Sequence, residues 1–289
     1  MAVGSKETQE EREKRIYDKE ARFLSGQVIG KNRVRWEGLE NKILEGPNII
    51  VGNHPGYQED IATLIALHPE RMLRFTANKE LLSKKDTNEL IKRTVVSSSR
   101  KYFRKMLGKR FSEPDDVAGN IFAKFFNFIS APIRSQWSKY LSSRISAVRA
   151  IPVNISGTNH TNYIEIAADY LAKGEAVVFL QYNKDKKDPG KKVRNHILSK
   201  YAPEGVTEID EFRYGAFNLA LHMKKEYDMD VPVTPVSIKG TKFFSCPFSK
   251  IKVVFGQPQY IAPYMSEPHP ELSFKNNVEK TVVDMYMQS

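Results

Sequence analysis

The sequence predicts an α/β protein with a mostly parallel or mixed sheet flanked by helices. Short apolar runs with strand character alternate with longer amphipathic runs, most clearly after residue 150. Stretches that contain Gly and Pro, such as "EGP" at 45–47, separate these runs. Strands that alternate with helices form βαβ units, and such units build parallel sheets. The 289 residues are enough to bury one large core.

The elements before the middle of the chain begin with a charge-dense segment, residues 1–25, which predicts an exposed helix or arm ending near Gly26. Alternation of Val34 and Trp36 with charged residues predicts a half-buried strand. The uninterrupted apolar run at 48–51 predicts a buried strand. A helix at 60–68, a short strand at 74–77 and a further helix follow.

After residue 149 the alternation of strands and helices is regular. The pattern predicts strands at 150–155, 175–182, 231–238 and 250–256, and helices at 162–174, 211–227 and about 270–288.

Between these two parts lies a segment of different composition, about residues 85–148. From 85 to 149 the chain has fourteen Lys and Arg residues against five Asp and Glu, so most of the net charge of +11 is concentrated there, interleaved with aromatic residues. We interpret the segment as a basic, aromatic helical insert in a single domain spanning 26–289. It resembles an interfacial anchor for an anionic membrane, although a helical subdomain with a solvated basic face has the same pattern.

Composition also limits the cellular setting. Cys246 is the single cysteine, so no intramolecular disulfide can form, which fits a reducing compartment. The first residues lack the apolar core of a signal peptide, and the longest apolar stretch, 121–133, is too short to span a bilayer. We therefore expect a cytoplasmic, soluble or peripheral membrane protein with anionic partners.

The stretch "IIVGNHPGYQEDIATLIAL" at 49–67 carries the main chemical signal. Pro55 disfavours helical geometry at His54, which should lie at the carboxyl end of a buried strand, where ligand sites form in open α/β sheets. Asp60 would begin the next helix, and it could hold one ring nitrogen of His54 while the other accepts a proton. The alternative is a hydrogen-bonded loop histidine beside a helix-capping aspartate.

In this region the sequence resembles the glycerolipid acyltransferases of the 1-acylglycerol-3-phosphate acyltransferase type, from about residue 33 to 260. The likeness follows the block order of that family: "NIIVGNH", "FTANKELL", "AIPVNI", "YLAKGEAVVFLQYNKD", "FRYGAFNLALHM" and "VPVTPVSIKG". The resemblance implies an acyltransferase-like α/β domain with His54 as the general base. It also implies an acyl-CoA or acyl-ACP donor, a glycerol-phosphate or lysophospholipid-like acceptor, and neither a metal nor a cofactor.

Three departures from the family pattern affect the expected site. The family places its acid five positions after the His, where this chain has Glu59, but Asp60 is followed by Ile as in the family and is preferred. Ile155 replaces the arginine of the second block. In the third block, Leu180-Gln181-Tyr182-Asn183-Lys184 replaces Pro-Glu-Gly-Thr-Arg.

The resemblance thus implies an acceptor pocket lined by Gln181, Asn183 and Lys184. Arg149 is a candidate replacement for the missing cation. Gln181 keeps hydrogen-bonding capacity without charge, and Lys184 keeps a cation without the bidentate fork of arginine. The altered blocks leave open a second interpretation, a catalytically inactive lipid-binding or scaffolding protein on the same fold.

Other signals are weaker. The loop at 183–196 is basic and could attract phosphates of a donor or a lipid, or could simply be solvated. The remaining histidines show no metal-ligand spacing. Zinc-finger, RNA-recognition and helix-turn-helix patterns are absent from the sequence, so we do not expect a nucleic-acid partner.

Overall fold

The computed structural model describes residues 7–31, 33–55, 58–78, 85, 88, 139, 150–153, 161–181, 197–241 and 250–289. The strands are β1 (Arg33–Glu37), β2 (Asn48–Asn53), β3 (Leu73–Asn78), β4 (Ile151–Val153), β5 (Ala176–Gln181), β6 (Val233–Lys239) and β7 (Lys250–Phe255). The helices are α1 (Gln9–Lys31), α2 (Gln58–Leu67), α3 (Thr161–Ala172), α4 (Gly215–Glu226) and α5 (Pro270–Gln288).

The predicted α/β architecture is confirmed. The seven strands form one sheet in the order β1-β7-β6-β2-β5-β3-β4. β2 pairs in parallel with both β5 and β6, and β3 pairs in parallel with β5, whereas β6 and β7 are antiparallel. The sheet is therefore mixed but mostly parallel, and the carboxyl ends of β2, β3, β5 and β6 share one edge. We call this edge the carboxyl edge.

The connections between parallel strands set the positions of the helices. The β2-α2-β3 unit and the β5-α4-β6 unit advance across the sheet in opposite directions. Right-handed crossovers then place α2 and α4 on opposite faces. The chain contacts agree, because α2 packs with α1, whereas α4 packs with α3 and α5. All six residues of β2 are buried between these layers, which explains its uninterrupted apolar run.

The N-terminal helix differs from its prediction. It continues through Gly26 to Lys31, and it is not fully exposed, because Tyr17, Ala21 and Val28 are buried on one face. These three residues are spaced by four and seven positions, which places them on one side of a helix. The dense charges around them concealed this narrow apolar stripe.

The edge strand β1 is also more exposed than its alternating pattern suggests, with Val34 half-buried and Trp36 exposed. The helix predicted after the strand at 74–77 has no described counterpart, because nearly all of that stretch lies outside the described residues. The other described element boundaries agree with the predictions to within a few residues. The strand predicted to include Ile155 is described only through Val153.

The chain divides into two compact units, residues 1–76 with 159–289, and residues 77–158. The predicted insert at about 85–148 falls in the second unit, where the structure describes only residues 77, 78, 85, 88, 139 and 150–153. A single domain carrying a membrane-contacting insert therefore stays a prediction. No helix in the described part of the chain is long and apolar enough to cross a membrane.

Gly52 lets β2 approach β6 closely. A β-carbon at this position would lie 2.7 Å from the backbone oxygen of Val236. We expect Gly52→Ala to separate the two central strands and to lower the free energy of unfolding by about 1–3 kcal/mol. Gly26→Ala is the control, because no atom lies within 4 Å of the added carbon, and alanine in a helix should be neutral or stabilising. Denaturant titration measures both, and an unchanged midpoint for Gly52→Ala would contradict the close approach.

His68, just after α2, is buried, and its Nδ1 lies 2.9 Å from the backbone oxygen of Leu64. Burial lowers the pKa of His68 to about 4. In the unfolded chain its pKa returns to about 6.5, so below that pH the unfolded state binds a proton that the folded state refuses. The free energy of unfolding should therefore fall as the pH drops from about 6.5 toward 4.

This pH dependence can be measured by urea denaturation at neutral pH and near pH 5. From neutral pH to about pH 5 the free energy of unfolding should fall in the parent chain. We expect this fall to be about 2 kcal/mol smaller in His68→Gln. His269→Gln, which changes an exposed histidine, should keep the parent's pH dependence. Equal losses in His68→Gln and the parent would show that His68 does not stay neutral in the folded protein.

Candidate functional site

Asn53, the last residue of β2, fixes the backbone immediately before His54. Its side chain is fully buried at the carboxyl edge. Its Oδ1 accepts the backbone N–H of Ile238 at 2.8 Å, and its Nδ2 donates to the backbone oxygen of Ile238 at 2.8 Å and to that of Glu208 at 3.3 Å. The amide thus continues the ladder between β2 and β6 and ties it to the segment that precedes α4.

His54 and Asp60 come together across the turn between β2 and α2. His54 Nδ1 lies 2.8 Å from Asp60 Oδ2. Asp60 lies in the first turn of α2 and is fully buried, whereas the His54 side chain retains 16% of its exposure. A carboxylate near a helix N-terminus is favoured by the helix dipole. The structure therefore brings together the predicted histidine and the preferred acid.

The second carboxylate oxygen of Asp60 also has a donor. The hydroxyl of Thr241, itself fully buried, donates a short hydrogen bond to Asp60 Oδ1. Each carboxylate oxygen of Asp60 therefore has a hydrogen-bonding partner, His54 at Oδ2 and Thr241 at Oδ1. With Nδ1 carrying a proton toward Asp60, Nε2 is the ring nitrogen that can accept another proton.

Thr241 was not anticipated from the sequence. It lies 181 positions after Asp60, just beyond the end of β6, and the chain around it carries no catalytic pattern. Glu59, the alternative acid, belongs to α2, but its side chain lies outside the described part of the chain.

Gln181 ends β5 and lies beside Asn53 in the parallel register. Its side chain is buried, and its Oε1 accepts the backbone N–H of Arg213 at 2.9 Å. The amide oxygen therefore holds the segment that leads into α4. Its predicted contact with an acyl acceptor stays a prediction.

Arg213 is a half-buried cation that the sequence analysis missed. Burial lowers the pKa of its guanidinium, opposed by the charge of nearby Asp210. A partly desolvated guanidinium is suited to an anionic group, because guanidinium binds phosphate oxygens in a bidentate manner. Asn183, Lys184 and Arg149, which were predicted to line this region, lie outside the described residues.

The segment at 197–213 is held in place by α5. Glu279 on α5 is fully buried, and its carboxylate accepts the Ser199 hydroxyl and, at 3.2 Å, the backbone N–H of Phe212. Lys275 contacts this carboxylate at 3.3 Å and Glu211 at 3.2 Å. Ser199 and Phe212, near the two ends of the segment, thus bind the same carboxylate. This keeps the backbone of Arg213 next to Gln181.

Metal chemistry has no ligand set in the described part of the chain, because no three His, Cys, Asp or Glu residues there are placed to hold an ion. The arrangement at the carboxyl edge is instead a polarised imidazole. It can remove a proton from a hydroxyl group and return it to a leaving group.

Comparison with known proteins supports the fold. Neither protein-family models nor curated protein sequences match this chain. Among solved structures, the chain is similar to the crystal structure of the 1-acyl-sn-glycerophosphate (LPA) acyltransferase PlsC from Thermotoga maritima. The TM-score is 0.52 at 15% sequence identity, over 98% of this chain and 84% of PlsC. The chain therefore has a PlsC-like acyltransferase fold.

Proposed function

We propose that the protein is an O-acyltransferase that moves a fatty acyl group from acyl-CoA or acyl-ACP to a hydroxyl of a glycerol-phosphate or lysophospholipid-like acceptor. The observation that carries the proposal is the connected set Thr241–Asp60–His54 at the carboxyl edge of the sheet. The PlsC-like fold supports it, because that fold hosts the same chemical class in the bacterial enzyme.

The reaction needs one base and no covalent acyl-enzyme. His54 Nε2 takes the proton of the acceptor hydroxyl while the hydroxyl oxygen attacks the thioester carbonyl carbon. The bond between carbon and sulfur breaks, the thiolate leaves, and the imidazolium of His54 returns the proton to it. Atoms and charge balance, and His54 ends in its starting state. Asp60 orients the ring and stabilises the transient imidazolium.

The acceptor's anionic group would lie near Gln181. The second-block arginine that the family uses on a substrate phosphate is Ile155 in this chain. Arg213 offers a replacement positive charge, since its backbone is hydrogen-bonded to the Gln181 side chain and its guanidinium is half-buried. This arrangement supports a phosphate-bearing acceptor. The Gln181 substitution supports an acceptor that differs in detail from simple lysophosphatidic acid.

We expect His54→Ala to abolish acyl transfer, because no base would remain to deprotonate the acceptor. The loss should be about 10²–10⁴-fold or more in kcat/KM. Free thiol released from acyl-CoA, with a lipid extract as acceptor, reports turnover, and mass spectrometry identifies the product. His269→Gln is the control, and it should retain full activity because this histidine is exposed and outside the site.

Unchanged turnover in His54→Ala would contradict the mechanism. Lipid binding without any turnover, equal in the parent chain and in His54→Ala, would instead favour the inactive lipid-binding or scaffolding protein on this fold.

We expect Thr241→Val to reduce kcat/KM about 10- to 100-fold, since one hydrogen bond to a buried carboxylate is lost. Asp60→Asn should have a larger effect, because the charge that stabilises the imidazolium is removed. Steady-state thiol release measures both.

Thr234→Val provides a matched control for Thr241→Val. Thr234 is also buried, and its hydroxyl donates to Asn48 at 3.0 Å, at the beginning of β2. The same chemical change there should lower stability without lowering kcat/KM. If the two valine variants lost activity equally, the Thr241 hydroxyl would have no particular role in the reaction.

A further inference from the structure

One face of the sheet carries a compact group of cations that the proposed reaction does not use. β1 has arginine at alternate positions, Arg33 and Arg35, and β7 has lysine at alternate positions, Lys250 and Lys252. Successive residues of a strand point to opposite faces, so this alternation places the cations of each strand on one face. We call these four residues the basic sheet face.

The strand register aligns the four cations. Arg33 is paired with Lys250 and Arg35 with Lys252 in the parallel pairing of β1 with β7. Paired residues lie about 4.8 Å apart across strands, and alternate residues lie about 6.6 Å apart along a strand. The four side chains therefore leave the sheet from the corners of a small rectangle.

This face belongs to the α5 side of the sheet. Lys239 is paired with Lys252 in the antiparallel pairing of β6 with β7, so their side chains share a face. Lys239 Nζ donates to the backbone oxygen of Ser289 at 2.9 Å, at the end of α5. α5 thus packs beside β6, whereas Arg33, Arg35 and Lys250 stay exposed.

The local charge balance is strongly positive. Glu37, which is paired with Val254 on the same face, contacts Lys252 at 2.7 Å. This carboxylate lies at the end of the face away from Arg33. The basic sheet face thus offers at least three exposed cations on a two-stranded surface. A flat array of fixed anions can contact all of them at once.

The basic sheet face is also close to the candidate site. β1 is three strands from β2 in the sheet order, roughly 15 Å away. Thr241, which binds Asp60, lies two residues after Lys239, the residue paired with Lys252. A surface bound at this face would therefore lie near the carboxyl edge.

We infer that the basic sheet face docks on anionic phospholipid headgroups of a membrane. Lys and Arg side chains close to an anionic bilayer are attracted to its headgroups, and salt weakens the attraction. The inference concerns binding alone, so it can be tested without an acyl donor or acceptor. Its failure is therefore distinguishable from failure of the proposed reaction.

The experiment uses the full chain and co-sedimentation with vesicles of phosphatidylcholine, with and without phosphatidylglycerol. The variants Arg33→Gln/Arg35→Gln and Lys250→Gln/Lys252→Gln should each weaken binding to the anionic vesicles by about tenfold or more. High salt should reduce the binding of the parent chain, and vesicles of phosphatidylcholine alone should bind poorly.

The variant Lys173→Gln/Lys225→Gln is the matched control. It removes two exposed cations at the C-terminal ends of α3 and α4. These helices lead into β5 and β6, so the two cations lie near the edge of the sheet opposite the carboxyl edge. It should bind as the parent does. Melting temperatures show whether each variant is folded.

Three results would overturn the inference. Vesicle binding that survives replacement of all four cations would place the contact elsewhere, including the predicted insert. An equal loss in the Lys173→Gln/Lys225→Gln control would show a nonspecific effect of net charge. Tighter, face-dependent binding to RNA than to anionic vesicles would assign the face to nucleic acid.

Discussion

The buried carboxylate of Asp60 is the group on which the site depends. It lies in the first turn of α2, contacts the ring that follows β2 and accepts a hydrogen bond from a hydroxyl just beyond β6, so it joins three parts of the chain. A buried ionised carboxylate is costly unless donors satisfy its oxygens. Here each oxygen of Asp60 has one hydrogen-bonding partner. Burial of this carboxylate therefore requires that the ends of β2 and β6 and the first turn of α2 come together correctly.

The surrounding structure provides that meeting. Gly52 allows β2 and β6 to approach, and Asn53 extends their pairing by one residue through its side-chain amide. His54 is the first residue after this reinforced end of the strand. The proposed reaction requires the ring to be aimed at both a carboxylate and a reacting hydroxyl, and it would benefit from such a fixed starting point, since small misplacements reduce catalysis strongly.

Much of the fold could be predicted from the sequence because its strands are short apolar runs between polar helices. β2 and β5 are buried on both sides, and their runs are continuous, whereas α3 and α5 have clear helical spacing. The buried stripe of α1 was missed because its three apolar positions are surrounded by charged residues. A local sequence pattern indicates the average burial of a segment. It does not identify which charged helix packs against a neighbouring element.

The site was predictable only in part, for a similar reason. His54 and Asp60 are neighbours in sequence, so a short turn was enough to suggest their contact. Thr241 reaches Asp60 through the sheet order, and the backbone of Arg213 reaches Gln181 through the path of the segment before α4; neither contact is encoded locally. The contact of Gln181 with an acceptor stays a prediction, and the bond from its Oε1 to the backbone N–H of Arg213 was not foreseen.

The Glu279 network has a consequence for how the protein matures during synthesis. Helix α5 is translated after every other described element, and until it docks, Ser199 and Phe212 have no carboxylate to bind. The strands and His54 are thus synthesised before Glu279 can hold the segment at 197–213 beside Gln181. Chains that terminate before α5 would keep His54 but lack the carboxylate that ties Ser199 and Phe212 to this helix.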